Sequence, residues 1–113
     1  MPLAKKHDKK YTYSDYLTWP EDMRYEIIDG TIHDMTPAPS RKHQAVSRNL
    51  VLQLHNYFRD RPCEVYYAPF DVRLPRGKEN DSDIDTVVQP DISVICDKKK
   101  LDEAGCRGAP DFI

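Results

Sequence analysis

The spacing of hydrophobic and polar residues changes along the chain, and each spacing predicts one kind of element. The first element is a short helix, because Thr12 and Asp15 have the spacing of a capping box, in which side chains satisfy the first backbone amides. We expect this helix to run from Thr12 to about Trp19, where Pro20 follows. Its aromatic side chains are expected to pack against the rest of the fold rather than to stack on bases.

A β-hairpin is predicted over residues 24–35, because Asp29-Gly30 tolerates the positive φ angles of a type I′ turn. Such a turn also fixes the register of the two strands. The residues expected to lie opposite each other are Ile28 and Thr31, Ile27 and Ile32, and Glu26 and His33. One apolar pair would then lie on one face and one ionisable pair on the other.

The longest predicted helix covers about residues 41–59, after Pro37 and Pro39 interrupt the chain. Ser40 precedes this helix and is a good N-cap residue. His43 lies on the first turn, where a packing or capping role is the alternative to a chemical one. Apolar residues at helical spacing are expected to form the buried face of the helix: Val46, Leu50, Leu54, Tyr57 and Phe58.

Short apolar runs separated by polar segments follow the long helix, which is typical of strands joined by turns. Asp71 and Arg73 share the polar face of one such run and are expected to be solvated neighbours. A sheet of about four or five strands with the long helix on one face is predicted, hence a mixed α/β or α+β fold. The predicted segments are strands at Cys63–Tyr67, Phe70–Leu74 and Ile92–Ile95, a polar loop or hairpin end at 75–86, a basic turn at Lys98–Lys100, a glycine-bearing loop, and a strand start at Pro110–Ile113.

Composition limits the chain to one globular domain. Its 113 residues are 39% hydrophobic and 32% charged, without the bias of a disordered chain. No apolar stretch is long enough to cross a bilayer and no signal-peptide core is present, so a cytoplasmic location is expected. A net charge of −2 argues against binding nucleic acid by bulk charge alone. Residues 1–11 are predicted to be a basic tail and residues 12–113 the domain.

Two residue groups that often bind metal are not expected to do so here. Cys63, Cys96 and Cys106 are odd in number and far apart, which predicts reduced thiols rather than a zinc site or a disulfide framework. The aspartates at positions 81, 83 and 85 alternate as in a calcium-binding loop. Thr86, however, stands where that loop needs glycine and Ile92 where it needs glutamate, so a solvated loop is expected.

Asp91 is the strongest candidate for chemistry, because it lies within the apolar run from Val87 to Cys96 and heads its second half. A carboxylate at the mouth of a buried strand is a common way for a metal-dependent phosphodiesterase to hold its ion. The same Pro-Asp opening recurs at Pro110-Asp111, close to the last residue. Capping of a strand end is the alternative role for Asp91.

Several motifs occur in a characteristic order: Tyr25–Gly30, Pro37–Ser40 followed by His43, Ala68–Leu74, Gln89–Ile92 and Gly108–Ile113. In this order they resemble the Uma2 family, also called DUF820, over nearly the whole chain from Thr12 onward. The resemblance implies a restriction-endonuclease-like core of the PD-(D/E)xK type, incomplete at its C-terminus. It also implies a DNA endonuclease that depends on Mg²⁺ or Mn²⁺.

The resemblance implies roles for three residues. Asp91 would hold the divalent metal ion, Glu26 would be a second carboxylate directed at the same site, and His43 would join them as a catalytic residue. A surface ion pair with His33 is the alternative for Glu26. A further acidic residue and a lysine would follow Ile113 in similar proteins, so this chain is expected to have little or no activity alone.

Two functional hypotheses remain open from the sequence. One is a metal-dependent endonuclease that hydrolyses phosphodiesters of DNA. The other is a non-catalytic remnant of the same fold that binds a partner or nucleic acid. A homodimer is also expected, because the strand beginning at Pro110 would leave a sheet edge with unpaired backbone groups.

Overall fold

The computed structural model describes residues 9–20, 24–34 and 40–113. Most of the predicted basic tail, as well as Met35, Pro37 and Pro39, therefore lies outside the described residues. Short 3-10 helices occur at Asp81–Asp83 and Lys98–Lys100. The remaining elements are, in chain order, α1 (Tyr13–Tyr16), β1 (Tyr25–Ile28), β2 (Thr31–Asp34), α2 (Arg41–Phe58), β3 (Glu64–Tyr67), β4 (Asp71–Arg73), β5 (Val87–Val88), β6 (Ile92–Ile95), β7 (Leu101–Asp102) and β8 (Gly105–Arg107).

The strands form two sheets, which confirms a mixed α+β fold. The larger sheet has six strands in the order β2-β1-β5-β4-β8-β7, and β4 and β8 are its parallel pair. The smaller sheet consists of β3 and β6, which are antiparallel, with an isolated bridge from Val94 to Phe112. Pro90 separates β5 from β6, so one predicted apolar run contributes a strand to each sheet. Asp91 follows at this division.

The expectation of four or five strands is wrong, because the predicted glycine-bearing loop contains β7 and β8. Gly105 makes this possible. Its φ angle is +136°, and a Cβ atom there would collide with the backbone oxygen of Asp71 on the neighbouring strand. Only glycine allows this close approach, so the loop residue enters the sheet.

The hairpin prediction is confirmed in both turn and register. Asp29 and Gly30 have φ angles of 51° and 79°, as a type I′ turn requires. The pairs across β1 and β2 include Glu26 with His33, Ile27 with Ile32 and Ile28 with Thr31.

The N-terminal segment differs from its prediction at both ends. The capping-box contact is present, since the Thr12 backbone N–H donates to Asp15 Oδ2 at 3.0 Å. The helix ends at Tyr16 rather than near Trp19, and turns follow it. Tyr11 was assigned to the tail but is buried, its N–H donates to the Gly30 carbonyl, and it packs with Ile27 of β1.

The helix α2 begins as predicted, because Ser40 Oγ accepts a hydrogen bond of 3.1 Å from the His43 backbone N–H. The prediction that its apolar stripe is buried is wrong: Val46, Leu50 and Tyr57 are 51%, 46% and 59% exposed. The helix packs on β3 of a two-stranded sheet. Two strands about 5 Å apart cover only one side of a helix about 10 Å wide. No described helix is long and apolar enough to cross a membrane.

The prediction that Asp71 and Arg73 are solvated neighbours is also wrong. Arg73 is 1% exposed, and its guanidinium pairs with Asp81 and Asp102, each at 2.6 Å. Burial alone would lower the pKa of Arg73, but the hydrogen bond and charge of Asp102 together with the charge of Asp81 oppose it, and the pKa is raised. The predicted solvated loop at 75–86 therefore supplies Asp81 as a partner of a buried charge.

The prediction of three reduced thiols is wrong as well, because Cys63 and Cys96 form a disulfide. Glu64 of β3 pairs with Ile95 of β6, so the next pair along the same ladder is Cys63 with Cys96. Strand pairing brings together two cysteines that are 33 residues apart in sequence. Cys106 is a buried free thiol.

Removing this disulfide is expected to lower the free energy of unfolding by about 3–4 kcal/mol, because it closes a loop of 33 residues in the unfolded chain. Urea denaturation of the double variant Cys63→Ser/Cys96→Ser, without reductant, measures the loss. Reductant should lower the free energy of unfolding of the wild type to a similar extent and leave that of the double variant unchanged. Titration of unfolded, unreduced wild type should find one thiol, Cys106; finding all three would contradict the disulfide.

Candidate functional site

Asp91 and His43, which are 48 residues apart in sequence, meet in the structure. His43 Nε2 lies 3.1 Å from Asp91 Oδ2, so the imidazole donates when the carboxylate is ionised. The Asp91 backbone carbonyl accepts a hydrogen bond from Ala68, and the Ser40 cap holds the first turn that carries His43. The Asp91 side chain is 60% exposed, so a ligand can reach it.

Glu26 acts on the segment just before Asp91. Its Oε2 atom accepts a hydrogen bond of 2.7 Å from the backbone N–H of Gln89. Gln89 precedes Pro90-Asp91, so the Glu26 carboxylate ties β1 to the chain that carries Asp91. This contact is the local role that the structure gives to Glu26.

Gln89 is the centre of a half-buried hydrogen-bond network. Its Nε2 atom donates to the Tyr16 hydroxyl at 2.6 Å and to Asp71 Oδ1 at 3.0 Å. Tyr16 in turn donates to Asp71 Oδ1 at 2.7 Å. Burial, together with the hydrogen bond to Asp71, raises the pKa of Tyr16 well above its ordinary value. The hydroxyl therefore stays protonated and keeps donating.

These side chains open onto a cavity of about 900 Å³. Residues of α1, α2, β3 and β4 contribute to its wall, which includes Tyr16, His43, Asp71, Gln89 and Asp91. A second groove of about 430 Å³ runs from Asp91 along the exposed apolar face of α2. The large cavity has the size of a typical ligand site, and its described lining includes four acidic residues: Asp71, Asp91, Asp102 and Glu103.

A divalent metal ion fits this site only in part. Within residues 9–20, 24–34 and 40–113, no group of three or more histidine, cysteine, aspartate or glutamate side chains is arranged to hold a metal. Mg²⁺ often takes only one or two protein carboxylates and fills its other positions with water and substrate phosphate. The exposed Asp91 carboxylate fits such an ion as a ligand that holds it weakly.

The sequence pointed to Asp91, His43 and Glu26 but missed the residues around them. Gln89 lies within a motif that carried the resemblance, yet nothing in the sequence distinguishes it from a surface glutamine. Asp71 was placed on a polar strand face, and alternation cannot tell whether such a face meets water or another polar cluster. The hydroxyl of Tyr16 reaches Asp71 from a position 55 residues earlier.

The model of the Uma2 family, described as "Putative restriction endonuclease", matches residues 13–113. A similar solved structure is that of "a putative nuclease belonging to DUF820" from Anabaena variabilis ATCC 29413, with 25% sequence identity and a TM-score of 0.64. The match covers 88% of this chain and 54% of that chain, so the chain spans about half the length of the solved protein. No curated protein matches the chain.

Proposed function

Because this chain belongs to the Uma2 family and has a restriction-endonuclease-like fold, we propose that it belongs to a metal-dependent endonuclease that hydrolyses phosphodiester bonds of DNA. The observation that carries the proposal is the contact between Asp91 and His43 at the wall of the large cavity. An exposed carboxylate, contacted by a histidine at the wall of a cavity that Asp71 also lines, suits the binding of a cation beside a phosphate.

Asp91 is proposed as the carboxylate that binds Mg²⁺ or Mn²⁺, which would lower the pKa of a bound water and stabilise charge on the phosphate. His43 orients Asp91, because its Nε2 atom holds one carboxylate oxygen and leaves the other directed elsewhere. Glu26 holds the backbone of Gln89 and so sets the position of Asp91. Metal binding and direct catalysis by Glu26, and direct catalysis by His43, stay predictions.

The metal requirement is the first test of this function. Incubated with supercoiled plasmid DNA, the protein is expected to nick it at most slowly in Mg²⁺ or Mn²⁺, as the sequence predicts for this chain alone, and to leave it intact in EDTA. Few protein ligands hold the ion, so activity should keep rising with metal concentration rather than saturate at trace levels. Cleavage that persists in excess EDTA would contradict a metal-dependent mechanism.

A non-catalytic binding module is the second candidate. It is supported by the lack of a three-ligand metal group among the described residues and by the exposed apolar face of α2. Under this hypothesis the protein binds DNA or a protein partner and cleaves nothing in any metal. Retention of plasmid DNA on a gel without nicking would favour it. The homodimer also stays a prediction, which light scattering would measure.

A further inference from the structure

Arg24 lines the same cavity as Asp91 and precedes β1. Its Nε atom donates to Gln89 Oε1 at 3.4 Å, a long hydrogen bond. Its terminal Nη atoms make no hydrogen bond or ion pair with another residue of the described part of the chain. Among the described residues, the guanidinium is therefore hydrogen-bonded at one edge only, and none of them occupies the hydrogen-bonding positions of its outer edge.

The side chain that holds Arg24 has one possible orientation. Both amide hydrogens of Gln89 are used by Tyr16 and Asp71, so its carbonyl oxygen must lie on the opposite side, where Arg24 donates to it. The backbone N–H of Gln89 is fixed by Glu26. The network thus couples the position of the Arg24 guanidinium to the segment that carries Asp91.

The charge of the cavity indicates which ligand Arg24 would take. Acidic residues contribute four side chains to the described lining: Asp71, Asp91, Asp102 and Glu103. A phosphodiester that approaches Asp91 meets this negative charge, and a cation must offset it. Arg24 is the permanently charged base of that lining, and a guanidinium matches the geometry of two phosphate oxygens.

We propose that Arg24 forms a phosphate subsite, in which its outer edge binds a backbone phosphate of the DNA strand that enters the cavity beside Asp91. The proposal rests on the proposed nuclease function and adds the residue that binds the anionic substrate. Arg24 is a binding residue here, and Gln89 is the residue that positions it.

Equilibrium binding without cleavage tests the subsite. Fluorescence anisotropy with a labelled DNA duplex in EDTA, over a series of salt concentrations, would compare wild type with Arg24→Gln and Arg24→Lys. One lost phosphate contact reduces the slope of log affinity against log salt by about 0.9, which corresponds to roughly eightfold weaker binding at about 0.1 M salt. Arg24→Lys should keep the wild-type salt slope, because lysine keeps the positive charge. It should bind DNA more tightly than Arg24→Gln but less tightly than wild type, because lysine lacks the planar guanidinium that binds two phosphate oxygens.

The exposed Arg76 serves as the matched control, because it pairs with Asp29 and Asp85 and does not line the cavity. Arg76→Gln should bind DNA as the wild type does. If Arg24→Gln weakens binding with an unchanged slope, its role is structural and the proposal is overturned. If it binds like wild type, the subsite is wrong while the nuclease function stands. If wild type binds no DNA, both fail. Should Arg24→Gln unfold, the slope of Arg24→Lys decides, because a reduced slope in that variant would overturn the proposal.

Discussion

Asp91→Asn is expected to lower the rate of DNA cleavage in Mg²⁺ or Mn²⁺ by at least about 100-fold. The amide keeps the shape of the side chain but loses the negative charge that would hold the ion. Loss of groups that only support a metal ligand already costs about 10- to 100-fold, so loss of the ligand itself should cost more. Plasmid nicking followed over time at several metal concentrations measures the effect.

The fold should not change in this variant, because the Asp91 side chain is 60% exposed and its backbone carbonyl still accepts from Ala68. Asp60→Asn is the matched control, since Asp60 is exposed and does not line the cavity. The control should cleave like wild type, and both variants should unfold at the wild-type urea concentration. Equal cleavage by wild type and Asp91→Asn, purified in parallel, would show that Asp91 is not the metal ligand.

Arg73→Met is expected to lower the free energy of unfolding by about 3 kcal/mol, the largest effect on stability that we expect from a single substitution. Removing one partner of a buried charge pair typically costs about 3–5 kcal/mol. The lower end applies because Asp81 and Asp102 are 43% and 45% exposed and water can solvate them once the guanidinium is gone. Methionine fills most of the volume of the arginine side chain, so the substitution loses little further stability to an empty cavity. Urea denaturation at neutral pH measures the loss.

The loss of stability in Arg73→Met should also depend on pH. Burial would raise the pKa of Asp102, but the hydrogen bond and charge of Arg73, together with hydrogen bonds from the backbone of Ala104 and Gly105, outweigh it, so the pKa lies below the ordinary 3.8. A depressed pKa stabilises the fold above pH 3.8, and that contribution is lost as pH falls through the folded pKa. The difference in the free energy of unfolding between wild type and Arg73→Met should therefore become smaller below pH 3.8.

Arg76→Met provides the comparison for this experiment. Arg76 also pairs with two aspartates, Asp29 and Asp85, but it lies on the surface. Exposed ion pairs contribute about 0–1 kcal/mol, so this variant should lose little stability. A loss as large as that of Arg73→Met would mean that burial of Arg73 is not what makes its ion pairs important.

Local features of the fold were predictable because neighbouring residues determine them. Asp29-Gly30 selects the turn, and a two-residue turn leaves one register for β1 and β2. Ser40 caps α2 because its Oγ atom accepts a hydrogen bond from the backbone N–H of His43, which is only three residues later. In each case the interacting groups are close in sequence, so tertiary packing has little influence on the outcome.

Three of the predictions that failed depend on long-range packing, because they concern which distant residue or element a side chain meets. The stripe on α2 has the right period for burial, yet the two-stranded sheet beneath it covers only part of the helix. Arg73 alternates like a surface residue, yet Asp81 and Asp102 arrive from two other segments and offset its charge. Cys63 and Cys96 appeared unrelated until the pairing of β3 with β6 aligned them.

The sequence by itself determined the family, the turn and register of the hairpin, the start of α2 and the position of Asp91 before a buried strand. These follow from motifs and from contacts a few residues long. Only the tertiary structure decided that His43 reaches Asp91, that Glu26 holds Gln89, and that Gln89 joins Tyr16, Asp71 and Arg24 into one network. These contacts span 18 residues, between Gln89 and Asp71, to 73 residues, between Gln89 and Tyr16, and are set by how distant segments of the chain pack together. Local sequence motifs therefore identified the candidate chemistry, and long-range packing brought the residues of the site together.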